Sequence, residues 1–307
     1  MADMIQLAED LKKALGEENV LVNEPMANHT TFKIGGPVEI MVTPNGIMDV
    51  INANRIIRKA GLRPRVIGQG SNLLVSDEGL KGVVIKMGEG YAKITVDDSC
   101  NITCEAGATN ADIAAAAQAA GLTGYEFACG IPGTIGGAAY MNAGAYDQQF
   151  ANVCTYCTVL QPNGAIATVP MLAMEWGYRH SLLMEADVIL LNATIRLEKG
   201  DPAEIQALMD ELQERRASKQ PLDMPSAGST FKRPEGHFAG QLIEEADLKG
   251  YSVGGAQVSE KHSGFIVNTG NATAADVLEL IQEVSKIVFT KDGVKLDPEV
   301  CMWGFDE

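Results

Sequence analysis

The chain has 307 residues, 46% of them hydrophobic, and this length predicts two or three compact units with real cores. Its formal net charge of −16 argues against a nucleic acid or an anionic membrane surface as partner, because a negative field repels polyanions. The sequence has no apolar run near the roughly 20 residues of a membrane helix and no signal-peptide pattern, so we expect a cytoplasmic protein.

The first predicted unit covers residues 1–90 and mixes helices with short strands. One apolar stripe predicts an opening helix that ends at Gly16, and a second stripe predicts a helix from Ile47 to near Gly61. The opening stripe consists of Ile5, Ala8, Leu11 and Leu15. Short apolar runs predict strands at 65–67, 73–76 and 83–86. These helices and strands together predict a small α/β unit.

The second and third predicted units cover residues 91–200 and 201–307. In the second, the pattern predicts one helix at 111–120 with Asn110 as its cap, and strands at 94–96, 102–105, 154–160, 165–169 and 188–196. In the third, it predicts helices at 201–219 and 239–246, a strand at 264–267 and a long helix opened by Thr273. Pro221 and Pro225 prohibit continuation of the first of these helices. The whole pattern predicts an α+β fold.

The six cysteines are expected to be structural thiols in a reducing compartment. Cys154 and Cys157 have the spacing of a redox or metal pair, but the residues around them predict a strand. Positions three apart in a strand point to opposite faces, so we expect these two thiols to diverge. The sequence predicts no metal site.

Two glycine-dense loops are the strongest functional signal. The first is Gly68-Gln69-Gly70-Ser71-Asn72, and the second runs from Gly130 through Pro132 to Ala138. Glycine lets backbone N–H groups approach an anion closely, so the pair suggests a dinucleotide cradle. The first loop lacks the third glycine of a Rossmann fingerprint and precedes a strand, so a different phosphate geometry is needed. Taken alone, each loop is also typical of an ordinary turn.

Three further polar segments contain candidate catalytic residues. They centre on Arg179 after Trp176-Gly177-Tyr178, on Ser229 after Gly228, and on Glu299 near the C-terminus. An arginine on a surface turn, a serine hydroxyl in a turn and a solvated glutamate are the structural alternatives for each segment by itself. Because the net charge is −16, an anionic ligand must meet local cations such as Lys219, Lys232 and Arg233.

In sequence order, the motifs closely resemble those of the UDP-N-acetylenolpyruvoylglucosamine reductase family. They are Asn28-His29-Thr30-Thr31-Phe32-Lys33-Ile34-Gly35-Gly36, the two glycine loops, Gly177-Tyr178-Arg179-His180-Ser181, Gly228-Ser229-Thr230-Phe231-Lys232-Arg233-Pro234 and Leu296-Asp297-Pro298-Glu299-Val300. The resemblance implies an FAD-binding fold of the vanillyl-alcohol-oxidase type in two subdomains, followed by a C-terminal α/β domain for the UDP-sugar. The short connection from Ser181 to Val188 resembles the shorter type of the family, which lacks a tyrosine-bearing loop.

The resemblance also implies a mechanism and a set of site residues. NADPH reduces FAD, and the UDP-sugar enolpyruvyl ether then takes the hydride, a reaction in peptidoglycan precursor synthesis. Arg179 holds the substrate carboxylate, Ser229 protonates the carbon beside it, and Glu299 stabilises the enol form. The implied FAD contacts are Gly68, Gln69, Gly70, Ser71, Asn72, Leu73, Gly130, Ile131, Pro132, Gly133, Gly136, Gly137 and Ala138. Further substrate contacts are expected at Tyr178, Lys219, Lys232 and Arg233.

Two other functions are compatible with the same loops. One is a flavin oxidase that passes electrons to oxygen, and the other is a flavin-binding module without turnover. The combination of Arg179, Ser229 and Glu299 favours protonation of a carbanion over oxidation of an alcohol. We expect a small-molecule substrate and no obligate protein partner.

Overall fold

The structure is a computed structural model that describes residues 3–305. Within that range the helices are α1 Met4–Leu15, α2 Ile47–Lys59, α3 Asn110–Ala119, α4 Ile135–Met141, α5 Pro202–Lys219, α6 Ala239–Glu245 and α7 Ala274–Asp292. The strands are β1 Val20–Pro25, β2 Pro37–Val42, β3 Arg65–Ile67, β4 Leu73–Val75, β5 Leu80–Lys86, β6 Ile94–Val96, β7 Asn101–Glu105, β8 Leu122–Thr123, β9 Gly144–Ala145, β10 Gln148–Gln149, β11 Cys154–Leu160, β12 Ile166–Pro170, β13 Ile189–Arg196, β14 Glu198–Lys199, β15 Ser226–Ser229, β16 Ser252–Val253, β17 Ala256–Val258, β18 Phe265–Asn268 and β19 Cys301–Trp303.

These elements form two compact units, each with its own hydrophobic core. Unit 1 contains residues 3–22, 40–69 and 82–216, and unit 2 contains residues 23–39, 70–81 and 217–305. The chain thus changes unit five times: within β1, within β2, after Gln69 between β3 and β4, within β5, and inside α5 after Arg216. The three-part division expected from the sequence stays a prediction.

Unit 1 is built around a five-stranded antiparallel sheet in the order β12-β11-β13-β7-β6. A second sheet has the order β1-β2-β5-β3, in which β3 and β5 are parallel. Helices α1 and α2 pack against each other and bury Leu11 and Ile57 completely. Asp3 caps α1 by accepting from the N–H groups of Ile5 and Gln6, and Gly16 ends it.

Unit 2 is built around the antiparallel sheet β15-β18-β17-β16 and the long helix α7. Thr273 and Asp276 form a capping box at the start of α7, and Gly293 ends it in the left-handed region at φ 70°. Asp77 accepts hydrogen bonds from the N–H groups of Ala274 and Ala275, which ties the segment 70–81 to α7.

The motif around Phe32 is a structural part of unit 2. Phe32 and Ile34 are 1% and 3% exposed and lie in the same core as Ile243 and Val284. The buried Asn268 side chain donates to the Phe32 carbonyl at 3.1 Å, and Thr31 donates to the Ser226 carbonyl at 2.6 Å. This early segment therefore packs against residues some 200 positions later in the chain.

Most predicted helices and longer strands are confirmed, with differences at specific positions. Helices α1, α2, α5 and α7 and strands β3, β6 and β11 lie where the pattern placed them. Ile5 is 81% exposed although the apolar stripe included it, and Leu7 is buried instead. The predicted cap of α3 was wrong, because Thr109 rather than Asn110 accepts the hydrogen bond from the Asp112 N–H.

The prediction that Cys154 and Cys157 diverge was wrong. Their sulfur atoms lie 3.9 Å apart and both residues are buried. The register of β11 against β13 slips between Cys154 and Tyr156, so Cys154 pairs with Ile195 and Cys157 with Ala193. Ile195 and Ala193 are two apart and share a face, so this bulge turns both thiols to the same side. Within residues 3–305 the cysteines are all free thiols.

No helix between residues 3 and 305 combines the length and the apolar character needed to cross a bilayer.

The buried thiol pair is expected to resist alkylation in the folded protein. The hydrogen bond between the thiols, and then burial, raise the pKa of Cys157, which leaves little reactive thiolate near pH 8. Iodoacetamide should label the peptide containing Cys154 and Cys157 more than about tenfold more slowly than the one containing Cys100, which is partly exposed. Mass spectrometry of timed aliquots measures both rates, and similar rates at the two peptides would contradict the packing of β11.

Candidate active site

The two glycine loops meet in unit 1. The Gln69 side-chain oxygen accepts a hydrogen bond from the Gly133 N–H at 2.9 Å. A Cβ atom at Gly68 would lie 2.3 Å from the Thr134 hydroxyl oxygen, so only glycine lets the loops approach this closely. The structure therefore brings together Gly68 and Gln69 of the first predicted loop with Gly133 of the second.

A buried cation lies beside the second loop. A Cβ atom at Gly130 would lie 3.0 Å from the Arg216 Cδ, so the arginine side chain packs directly on this glycine. The Arg216 Nε is buried and has no hydrogen-bond partner among residues 3–305, and burial lowers the pKa of this guanidinium. A buried donor without an acceptor is costly, and an anionic group such as a pyrophosphate removes that cost. Arg216 and the bare glycine backbone thus fit an FAD pyrophosphate.

Asn110 anchors the second loop through hydrogen bonds from its side chain and its backbone. Its side chain is 1% exposed, donates to the Ile131 carbonyl at 3.3 Å and accepts from the Tyr125 hydroxyl at 2.9 Å. Its backbone N–H donates to the Gly133 carbonyl at 3.1 Å. The residue predicted to cap α3 therefore anchors the candidate cofactor loop to the start of that helix.

The end of the second loop is a helix rather than a loop. Gly136, Gly137 and Ala138 lie in the first turn of α4, which Thr134 caps. The N–H groups of Gly136 and Ala138 donate to the carbonyls of Ala106 and Thr134, and that of Gly137 donates to the Thr134 hydroxyl. The Ile131 N–H likewise donates to the Ala128 carbonyl. The second loop thus offers the side-chain-free positions of its glycines, whereas the sequence predicted free backbone donors.

Arg179 is held in a tight turn of unit 1. It adopts a φ of 53°, which is uncommon for a residue other than glycine, and its Nη2 donates to the Gly144 carbonyl at 3.2 Å. Its guanidinium lies 5.0 Å from the centre of the Tyr178 ring, and Tyr178 is 52% exposed. The fully buried Asn142 donates to the Gly177 carbonyl at 2.9 Å, and the fully buried Ser181 donates to the Tyr140 carbonyl at 2.8 Å. Polar contacts on both sides therefore fix this turn.

Ser229 and Glu299 lie on neighbouring backbone segments of unit 2. Ser229 ends β15 and is exposed, opposite Phe265 of β18. The next residue, Thr230, accepts the Glu299 N–H on its carbonyl at 2.8 Å, and the Lys232 N–H donates to the Asp297 carbonyl at 2.8 Å. Ser229 is thus one position from the residue paired with Glu299, although the two are 70 positions apart in sequence.

The candidate phosphate-binding cations fall into two groups. Burial raises the pKa of Cys301, while the Lys232 charge lowers it and the Glu299 charge raises it further, so Lys232 and Glu299 both lie near this thiol. Arg233 stacks on Phe238 with its guanidinium 4.0 Å from the ring centre. Lys219 instead lies near His262, and its charge lowers the pKa of that histidine, as described next.

His262 is a partly buried histidine of unit 2 that no sequence motif singled out. Burial lowers the pKa of His262, and the Lys249 and Lys219 charges lower it further against an opposing effect of Glu244. The His262 Nδ1 accepts the Gly264 N–H at 3.1 Å, and the ring meets Phe265 edge to face at 5.0 Å. The imidazole is therefore held neutral near pH 7. No local pattern marks it, because its environment comes from residues of α5 and α6 and the loop after α6.

Among residues 3–305, no three or more His, Cys, Asp or Glu side chains cluster in a way that could hold a metal ion.

Two protein-family models match the chain. The model described as FAD binding domain matches residues 37–170. The model described as UDP-N-acetylenolpyruvoylglucosamine reductase, C-terminal domain, matches residues 220–303. The first includes both glycine loops and the second includes Ser229, Lys232, His262 and Glu299.

Curated relatives match over nearly their whole length. A UDP-N-acetylenolpyruvoylglucosamine reductase of Caldanaerobacter subterraneus subsp. tengcongensis is 49% identical over 298 residues, which is 97% of this chain and 98% of the relative. A protein of the same name from Clostridium perfringens is 48% identical over 290 residues, which is 94% of this chain and 95% of the relative.

Solved structures confirm the predicted fold class. The UDP-N-acetylenolpyruvylglucosamine reductase of Thermus caldophilus superposes with a TM-score of 0.78 at 34% identity, covering 93% of this chain and 98% of that one. The 4-ethylphenol oxidase of Gulosibacter chungangensis superposes with a TM-score of 0.52 over 97% of this chain and 65% of its own. Because the oxidase is only 14% identical, this likeness concerns the fold and not the function. The shared fold is the FAD-binding fold of the vanillyl-alcohol-oxidase type.

Replacing Asn110 is expected to loosen the second glycine loop. Asn110→Ala leaves the buried Tyr125 hydroxyl and the Ile131 carbonyl without this partner, which should cost about 1–3 kcal/mol in the free energy of unfolding. Urea denaturation measures this, and the affinity for FAD should fall with it. Asn163→Ala is the matched control, because Asn163 makes one hydrogen bond in an exposed turn. Equal losses in the two variants would show that Asn110 does not anchor the loop.

Proposed function

This chain belongs to the UDP-N-acetylenolpyruvoylglucosamine reductase family, and on that premise we propose that Arg179, Ser229 and Glu299 are its catalytic residues. It is an FAD-dependent oxidoreductase that uses NADPH to reduce the enolpyruvyl ether of a UDP-sugar, a step of peptidoglycan precursor synthesis. The observation that supports the assignment best is the backbone pairing of Thr230 with Glu299, which places two candidate groups on adjoining segments.

Bound FAD supplies the hydride that it receives from NADPH. We propose that Gly68, Gln69, Gly70, Ser71, Asn72 and Leu73 contact it from the first loop. In the second loop, the proposed contacts are Gly130, Ile131, Pro132, Gly133, Gly136, Gly137 and Ala138. Arg216 is added to this set, because its buried Nε lacks an acceptor and its side chain packs on Gly130.

Arg179 is the proposed partner of the substrate carboxylate. Addition of hydride at one alkene carbon leaves negative charge on the carbon beside that carboxylate, and a fixed cation stabilises the charge. Arginine presents planar, paired donors that match a carboxylate. The turn around Arg179 is held by Asn142 and Ser181, so little reorganisation is needed when the substrate binds.

Ser229 is the proposed proton donor and Glu299 the proposed stabiliser of the enol form. An enediolate carbon is basic enough to take a proton from a hydroxyl that is held in place, and the exposed Ser229 at the end of β15 is accessible to a ligand. A protonated Glu299 donates to the substrate carboxylate as negative charge develops there. This role requires Glu299 to be protonated when the substrate is bound. The positively charged Lys232 lies near the same thiol as Glu299, that of Cys301.

The remaining binding contacts are proposed on charge and on similarity. Lys219, Lys232 and Arg233 would neutralise the UDP pyrophosphate, which a chain of net charge −16 can attract only through local cations. Tyr178 is the proposed aromatic contact beside Arg179, since its ring is half exposed. Only residues 185–188 separate the 3₁₀ turn Leu182–Met184 from β13, which supports the shorter type without a tyrosine loop.

The proposed domains and cellular role follow the same premise. Residues 1–90 and 91–200 would form two FAD-binding subdomains, and residues 201–307 the UDP-sugar domain. We propose a cytoplasmic enzyme that contributes to cell-wall biogenesis, cell shape, cell division and the cell cycle. The net charge of −16 supports a small-molecule substrate without a nucleic acid or membrane partner, and no obligate protein partner is proposed.

The experiment that tests this function is NADPH oxidation by the purified yellow holoenzyme. Oxidation should depend on the UDP-enolpyruvyl sugar and stay slow with oxygen alone. Fast oxygen-dependent turnover without the sugar would favour a flavin oxidase. Bound flavin with no NADPH oxidation under either condition would favour a binding module.

Removing the Ser229 hydroxyl should affect one half of the reaction. Ser229→Ala should retain reduction of the flavin by NADPH, whereas reoxidation by the UDP-enolpyruvyl sugar should fall by about 10²–10⁴-fold, because general acid catalysis contributes that much. Stopped-flow absorbance of the flavin measures both steps. Ser252→Ala in the exposed strand β16 is the matched control and should lose neither. Equal losses in both steps of Ser229→Ala would refute the assignment.

A further inference from the structure

Asn72 is the last residue of the first glycine loop and lies in unit 2. It directly precedes β4, which pairs in parallel with β19 starting at the rung between Leu73 and Cys301. The Asn72 carbonyl accepts the Cys301 N–H at 3.0 Å, and the Trp303 carbonyl accepts the Ser76 N–H at 2.9 Å. The ladder between the two strands therefore begins at Asn72.

The Asn72 side chain extends this ladder to Glu299. Its Nδ2 donates to the Glu299 carbonyl at 3.0 Å and lies 3.9 Å from the Cys301 sulfur. On its other side, the Glu299 N–H donates to the Thr230 carbonyl at 2.8 Å. Both backbone polar groups of Glu299 are thus bonded to neighbouring segments. Bonds on both groups fix the backbone direction from which the carboxyl side chain starts.

We propose that Asn72 is a positioning residue that orients Glu299 for the reduction of the substrate; the proposal rests on the proposed role of Glu299. Asn72 is also one of the proposed FAD contacts, and the present proposal concerns its side-chain amide, which donates to the Glu299 carbonyl. Gln69, three positions earlier, uses its side chain on the second glycine loop.

The geometry predicts how substitutions act. Asn72→Asp keeps the size of the side chain but replaces the donor with a carboxylate, which faces the Glu299 carbonyl oxygen and repels it. The misplaced Glu299 should slow reoxidation of the flavin by the UDP-enolpyruvyl sugar at least about tenfold more than it slows reduction by NADPH. Asn163→Asp is the matched control, since its side-chain oxygen accepts the Ala165 N–H and an aspartate can do the same.

A double-variant cycle tests whether Asn72 acts through Glu299. Glu299→Gln alone should slow reoxidation, and Asn72→Asp combined with Glu299→Gln should lose little beyond that single change. Hydrogen exchange gives an independent readout, because the Cys301 amide should exchange faster in Asn72→Asp while amides of α7 stay protected. A purely structural role would instead give additive losses and equal effects on both half-reactions.

The outcomes separate failure of this inference from failure of the proposed function. If Glu299→Gln reoxidises like the wild type, the role of Glu299 fails and the inference fails with it. If Glu299→Gln is slow but Asn72→Asp is not, only the inference fails. Asn72→Ala removes the same side-chain donor without adding a charge, so it tests the proposal even if the aspartate variant does not fold. Loss of FAD from both Asn72 variants would overturn the proposal in favour of a direct cofactor contact.

Discussion

The C-terminal segment of unit 2 lies between two other segments, and the candidate chemistry depends on this placement. On one side, Glu299 and Asp297 bond to Thr230 and Lys232. On the other, β19 pairs with β4 and the Asn72 side chain reaches Glu299. Segments near positions 72, 230 and 299 are far apart along the chain, so a large loss of chain entropy is overcome here by backbone pairing and by the core around Val300. The result is that Ser229 and Glu299 lie on neighbouring backbone segments.

The glycine loops depend on a different constraint, which is the close approach of other side chains to the loop backbone. At Gly68 the Thr134 side chain occupies the space of a Cβ atom, and at Gly130 the Arg216 side chain would have to shift slightly to admit one. Asn110, Gln69 and Thr134 hold the backbone of the second loop. The N–H groups of Ile131, Gly133, Gly136, Gly137 and Ala138 in that loop are bonded inside the protein. The positive partner that we propose for the pyrophosphate is therefore the side chain of Arg216, whose buried Nε lacks an acceptor among the described residues.

Local signals predicted much of the fold because they act over one or two turns. The apolar stripes of α1 and α7, with Gly16 and Thr273 at their ends, depend only on neighbours in sequence. Features decided by distant residues were missed or misread. The bulge that turns Cys154 towards Cys157 depends on the register with β13, and the role of Asn110 depends on Tyr125 and Ile131. His262 carries no local signal at all.

The order of the motifs indicated the family and pointed to Arg179, Ser229 and Glu299 as candidate catalytic residues. The sequence did not reveal the residues that hold these candidates in place by hydrogen bonds. Asn142 and Ser181 around Arg179, and Asn72 and Thr230 around Glu299, are polar residues of ordinary composition. Asn142, Ser181 and Asn72 each donate to a backbone carbonyl from elsewhere in their own unit, whereas Thr230 accepts the Glu299 N–H on its own carbonyl. Such partners are set by tertiary packing, which a single sequence does not display.

The most direct test of the central claim is a crystal structure of the FAD-loaded protein with the UDP-enolpyruvyl sugar bound. We expect the Ser229 hydroxyl and the Glu299 carboxyl both to lie within about 3.5 Å of the enolpyruvyl group, with the Glu299 backbone still bonded to Thr230 and Asn72. A substrate whose enolpyruvyl group lies away from both side chains would contradict it.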